Sequence, residues 1–156
     1  MKLAGATVRR GGADDRAFVL DLGRRSASSS VSAVRTADEA DVVLAFERLV
    51  AFVYEREHLA LIAEVDGRRA GFLLMMYDIP DEVTLAEQAF IAYTAVEPEV
   101  RRSGVARALL DEAERYARAA GLGYLSLMVT EDNAAARALY DGAAFATERR
   151  MMTKPL

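Results

Sequence analysis

The sequence predicts a mixed α/β fold, a central β-sheet flanked by α-helices on both faces, and three observations carry that expectation. Two apolar runs, His58 to Val65 and Arg69 to Tyr77, are separated by Asp66-Gly67, a dipeptide that favours the tight turn of an antiparallel hairpin. A β-branched and aromatic run ending at Val96 passes through a turn with Pro98 and Gly104 into a helical pattern of Val105, Leu109, Ala113, Ala117 and Ala120. A further strand, Tyr124 to Thr130, follows that helix, so the two strands it joins must be parallel.

The remaining elements are read in chain order. Ala6 to Arg10 is a short strand closed by Gly11-Gly12, followed by a helix capped at Asp14 or Asp15 with Phe18, Val19 and Leu22 on its apolar face. Gly23 to Arg35 is poor in large apolar residues and reads as a mobile connection with a broken helical turn. Thr36-Ala37-Asp38-Glu39 opens a second helix with Val42, Val43, Phe46, Leu49, Val50 and Val53 on one side, ending between Tyr54 and Glu57. Its acidic residues read as a solvated face, with binding of a cationic substrate as the alternative. The hairpin strands are apolar at both alternating positions, which places them inside a sheet covered on both sides. Asp78 to Glu87, with Pro80, is a loop. Gly121 and Gly123 stop the long helix, Asp132 or Asn133 caps a short one with Ala135, Ala136 and Leu139 inward, and Phe145 to Thr153 is a last strand.

Composition bounds the chemistry. The 156 residues suit one domain spanning 1–156, and 53% hydrophobic with 28% charged residues is ordinary for a globular protein. A formal charge of −4 argues against nucleic acid as a partner. There is no cysteine and one histidine, which removes a thiol nucleophile and leaves little for a metal, so none is expected. His58 reads as structural. The opening MKLAGATVRRGGADD lacks the apolar core of a secretory signal and no run is long enough to span a bilayer, so a cytoplasmic location without membrane contact is expected.

The candidate site lies where the long helix starts. Its first backbone N–H groups have no partner within the helix, and that end carries partial positive charge. Ser103, Gly104 and Ala106 are small enough to admit a ligand close to the backbone, and Arg101 and Arg102 add full charges, the makings of a diphosphate cradle. The Gly-x-Gly-x-x-Gly of dinucleotide-binding folds is absent.

The run from Val96 to Leu110 resembles the coenzyme A-binding motif of the GNAT superfamily of acyl-CoA N-acyltransferases. There, Arg or Gln, two residues, Gly, one residue and then Gly or Ala follow a strand ending in Val-x-Pro. Arg101, Gly104 and Ala106 match, whereas Arg102 stands where many members have glycine. Asn133, Tyr140 and Ala144-Phe145 resemble a second family pattern, with Ala144 in place of the usual glycine. The resemblance covers the chain from about His58 onward, and the first 57 residues fit loosely.

The resemblance implies a GNAT-like fold and an N-acetyltransferase that moves the acetyl group of acetyl-CoA to a primary amine by direct attack through a tetrahedral intermediate. It implies that Thr94, Ala95 and Val96 at the strand end, Arg101, Arg102, Ser103, Gly104, Val105 and Ala106 in the turn, and Asn133 and Tyr140 hold acetyl-CoA. Tyr140 would protonate the departing thiolate, a phenol near pKa 10 being a workable donor to a thiol near 8.5. Glu87, Tyr93 or water could take the amine's proton. The acceptor is a small-molecule amine or a peptide or protein amine, and acids at Asp78, Asp81, Glu82 and Glu87 favour a cationic one. A homodimer is left open, and the alternative is a CoA-binding regulatory domain without turnover.

Overall fold

The computed structural model describes residues 5–156. The reading of the first four residues as no part of a secretory signal lies outside the described residues. A five-stranded sheet has the order β1 (Thr7–Arg10), β2 (His58–Val65), β3 (Arg68–Met76), β4 (Ala89–Val96) and β5 (Leu125–Leu127), with helices α1 (Arg16–Ser26), α2 (Glu39–Tyr54), α3 (Val105–Ala119) and α4 (Ala134–Gly142). Every neighbouring pair is antiparallel except β4 and β5, which α3 joins as a parallel crossover. Asp66 and Gly67, with φ of 50° and 74°, form the left-handed two-residue turn of the β2–β3 hairpin.

Alternation along the central strands divides the core into two layers. Leu59, Leu61, Ala63, Leu73, Met75, Ala89 and Ile91 meet Val105, Leu109, Ala113 and Ala117 of α3 on one face. Ile62, Phe72, Leu74 and Met76 meet Val19, Leu22, Phe46, Val50 and Val53 of α1 and α2 on the other. The expected two-sided sheet is therefore present, with α4 adding Leu139 and Tyr140 to the α3 layer.

One irregularity positions the site. Leu74 pairs with Tyr93 and Met75 with Ile91, so Ala92 has no partner on β3 and forms a bulge. Ala92 and Tyr93 both join the α1/α2 layer, after which Ala95 faces that layer and Val96 the other. The last β4–β5 pair is Ile91 with Leu127. Beyond it, β4 runs from Ala92 to Val96 with no strand among the described residues on its β5 side.

Several expectations need correction. α1 runs through Gly23 to Ser26 and continues as a 3-10 turn, Ala27–Ser30, where a mobile connection was expected. Gly23 is a packing residue here, since a Cβ on it would lie 1.8 Å from Cζ of Phe46. The carboxylate of Asp15 closes a 3-10 turn by accepting from Gly12 N at 2.8 Å, rather than capping α1. β5 has three residues instead of seven, and Ala135 is exposed. Phe145 to Thr153 forms no strand: Glu148, Arg149 and Arg150 break its apolar alternation, and Arg149 instead pairs with the buried Asp81.

Candidate active site

The turn between β4 and α3 is built so that backbone donors stay free. Pro98–Val100 is one 3-10 turn, then Arg102 and Gly104 adopt left-handed conformations with φ of 61° and 90°. Among the described residues no hydrogen bond reaches the N–H groups of Arg102, Ser103 or Gly104, and those of Val105, Ala106 and Arg107 begin the helix. Gly104 supplies no side-chain cap, and the space a Cβ would occupy there meets no atom within 4 Å. Val105 is buried and fixes the helix start on the core, while residues 101 to 104 are exposed.

The side chains of the turn divide their work. Arg101 Nε donates to the carbonyl of Val96 at 3.3 Å, tying the turn to the end of β4. The Ser103 hydroxyl donates to Val100 O. Arg102 is exposed, and its left-handed φ explains why glycine is at home in that position. Ala106 is half-buried.

Past the bulge, β4 lines the adjoining gap. Thr94 pairs with Leu73 and so shares its α3 face, where its Oγ1 is buried without a hydrogen-bond partner. Such an atom is costly unless a ligand completes it, which fits a bound polar chain at this point. Ala95 points to the opposite layer, so only its backbone can serve the gap. The bulge was not legible in the sequence, since nothing in Ala92-Tyr93 announces an unpaired residue.

Asn133 and Tyr140 occupy the two ends of α4. The Asn133 carboxamide oxygen accepts from Ala136 N at 3.1 Å and so caps the helix. At the other end Phe145 N donates to Tyr140 O and Ala144 N to Asp141 O, the paired bonds of a Schellman turn, with the Tyr140 and Phe145 rings 5.7 Å apart. Ala144 takes the left-handed position of that turn, φ 64°, which accounts for the family's glycine there. Burial alone pushes the Tyr140 phenol above its ordinary pKa, so it holds its proton at neutral pH.

The base candidates separate by position. Glu87 is exposed and precedes β4, seven residues and on the order of 20 Å of strand from Thr94. Tyr93 packs between Phe46 and Phe72, ring centroids 4.8 and 5.9 Å away, with its hydroxyl 3.2 Å from Ser26 Oγ. Of the acids expected to attract a cationic acceptor, Asp78 is bound by Arg56 and Asp81 by Arg149 and Thr84, which hold the Asp81 carboxyl well below the usual range. No group of His, Asp or Glu among the described residues could hold a metal ion, and no helix among them is long and apolar enough to cross a membrane.

Known proteins share this fold. A Pyrococcus furiosus protein proposed to be an acetyl transferase superposes with a TM-score of 0.82 at 23% identity, covering 97% of this chain and 100% of that one. An aminoglycoside N-acetyltransferase in complex with CoA superposes at 0.69 with 16% identity, covering 96% and 98%. At these identities the likeness is one of fold. An acetyltransferase of Yersinia pseudotuberculosis is 32% identical over 94 residues, 60% of this chain and 62% of its own length. The match thus spans less than two thirds of that relative. The model of the Acetyltransferase (GNAT) family matches residues 27–145, both turn motifs included, and the chain belongs to that family.

Proposed function

We propose that this protein is an acetyl-CoA-dependent N-acetyltransferase acting on a primary amine, with residues 1–156 as one such domain. The observation that carries the reading is the open start of α3, whose unpaired N–H groups face outward beside the unpartnered half of β4. An anion of the size and charge of a diphosphate is what such a helix start favours.

The residues present fit acetyl-CoA, and each has a defined task in this reading. The N–H groups of residues 102 to 106 hold the diphosphate, with Arg102 free to add a charge. Thr94 Oγ1 and the backbone of Thr94, Ala95 and Val96 orient the thioester-bearing arm, and an N–H of this segment stabilises the oxyanion that develops at the thioester carbonyl. The amine nitrogen forms the new C–N bond, the C–S bond breaks, and Tyr140 donates its proton to the sulfur that leaves. Water or Tyr93, whose hydroxyl neighbours Ser26 Oγ, takes the proton the amine loses. Asn133 acts by holding α4, and thereby Tyr140, in place.

Release of free thiol from acetyl-CoA, measured with a panel of small amines and peptide N-termini, tests the reading. An acceptor-dependent rate supports it. CoA affinity without thiol release from any acceptor would instead favour a regulatory domain that binds CoA without turnover.

A further inference from the structure

At the end of α3 remote from the cradle, a second cavity of about 500 Å³ opens among Arg10, Glu57, His58, Tyr77, Tyr116 and Leu122. The 15 residues of α3 put it about 22 Å from the turn at Gly104. None of these six residues has a task in acetyl transfer.

The two charged groups of this cavity, Arg10 and Glu57, enter no ion pair among the described residues, whereas Arg9 is spent on Asp15 and Glu64, and Arg56 on Asp78. The guanidinium of Arg10 sits 5.7 Å from the Tyr116 ring centroid. Glu57 and the half-buried Tyr77 line the same cavity as Arg10 and Tyr116. His58 Nδ1 lies 2.8 Å from the carbonyl oxygen of Arg56 and donates to it.

The charge pattern selects among ligands. The Arg10 guanidinium suits a carboxylate, but Glu57 and the carbonyl end of α3 at Ala119 and Ala120 repel a multiply charged anion and attract an ammonium. Tyrosine faces strengthen the attraction for a cation. We infer that this cavity binds a free apolar α-amino acid, its carboxylate on Arg10, its ammonium on Glu57, and its side chain on Tyr77, Tyr116 and Leu122.

The test is titration of the full chain with L-leucine and L-phenylalanine by calorimetry, alongside N-acetyl-leucine and leucinamide, each of which lacks one charge. Binding of the free amino acids, with both derivatives at least about tenfold weaker, is expected, as a charge-assisted hydrogen bond is lost in each. Arg10→Ala and Glu57→Gln should each weaken leucine by a similar factor while acetyl-CoA affinity stays unchanged, which separates this site from the cradle. No heat up to 10 mM of either amino acid, derivatives that bind as well as leucine, or variants that retain wild-type leucine affinity with circular dichroism confirming their fold, would each overturn the inference.

Discussion

The starts of α3 and α4 solve the same problem in opposite ways. Both helices begin after an irregular turn, and both have N–H groups that no helix can satisfy internally. At α4 the Asn133 side chain closes the end on Ala136 N, as Asp38 does at α2 on Ala40 N at 2.8 Å. At α3 the cap is Gly104, which offers no side chain, and the donors stay open. An open end costs roughly 1 kcal/mol relative to a good cap, so leaving it open on the most strongly amphipathic helix points to a ligand as the missing partner. The 3-10 turn before α1 is likewise closed by a side chain, since Asp15 accepts from Gly12 N and is itself held by Arg9 and Arg69.

The contrast can be broken by perturbing each end, and the largest effect is expected at Tyr140, which α4 carries at its closing turn. Tyr140→Phe keeps the ring on Phe145 and removes only the hydroxyl, so kcat should fall on the order of 10²–10⁴-fold with CoA affinity and melting temperature nearly unchanged. Wild-type kcat, under conditions where chemistry limits the rate, would reduce Tyr140 to the aromatic half of a helix cap.

Gly104→Val fills the open end of α3. A lost helix-start contact of about 2 kcal/mol corresponds to roughly thirtyfold weaker CoA binding. Calorimetry returning the wild-type affinity would show that the diphosphate lies elsewhere.

Asp15→Asn removes the charge that holds the 3-10 turn to Arg9 and Arg69 and should cost about 2 kcal/mol at pH 7 in denaturant titrations. The Arg9 and Arg69 guanidiniums and Gly12 N–H hold the Asp15 carboxyl well below the ordinary carboxylate range. Its contribution is therefore complete above the unfolded-state pKa near 3.9 and is lost as pH falls through the lower folded-state value. The gap between wild type and variant should accordingly narrow below about pH 4, and a gap independent of pH would contradict the ion-pair account.

Asn133→Ala is expected to cost about 1 kcal/mol of stability and to leave the KM for acetyl-CoA unchanged. A raised KM would give Asn133 a direct contact with the cofactor and erase its difference from Gly104. Smallest of all, Ala144→Gly should raise stability by about 0.5–1 kcal/mol by relieving a left-handed alanine. A melting temperature at or below wild type would mean that the turn carries no strain.

The elements legible in the sequence were those with strong periodicity or unambiguous turn chemistry. Asp66-Gly67 located a hairpin, and Val105 to Ala117 located α3, because few alternatives compete with those patterns. The α3 start was legible for the same reason: small residues and arginines stand at a helix boundary. Gly23 to Arg35 misled because a stretch poor in large apolar residues reads as a connection, and only the Phe46 ring pressed against Gly23 reveals that small size is what packs there. Phe145 to Thr153 misled because it was read from composition, while its conformation depends on a distant carboxylate at Asp81. Within the site, Thr94 and Tyr93 were placed on the right strand, but which face each occupies depends on an unpaired residue that leaves no mark in composition.

That unpaired residue acts on parity. A strand assigns odd and even positions to opposite faces, so every residue after an insertion inherits the reversed assignment. Ile91 faces the α3 layer, and were Ala92 an ordinary paired residue, Tyr93 would return to that layer and Thr94 would turn toward α1 and α2. Leaving one alanine unpaired therefore stores the aromatic ring in the helical core and the hydroxyl of Thr94 in the gap.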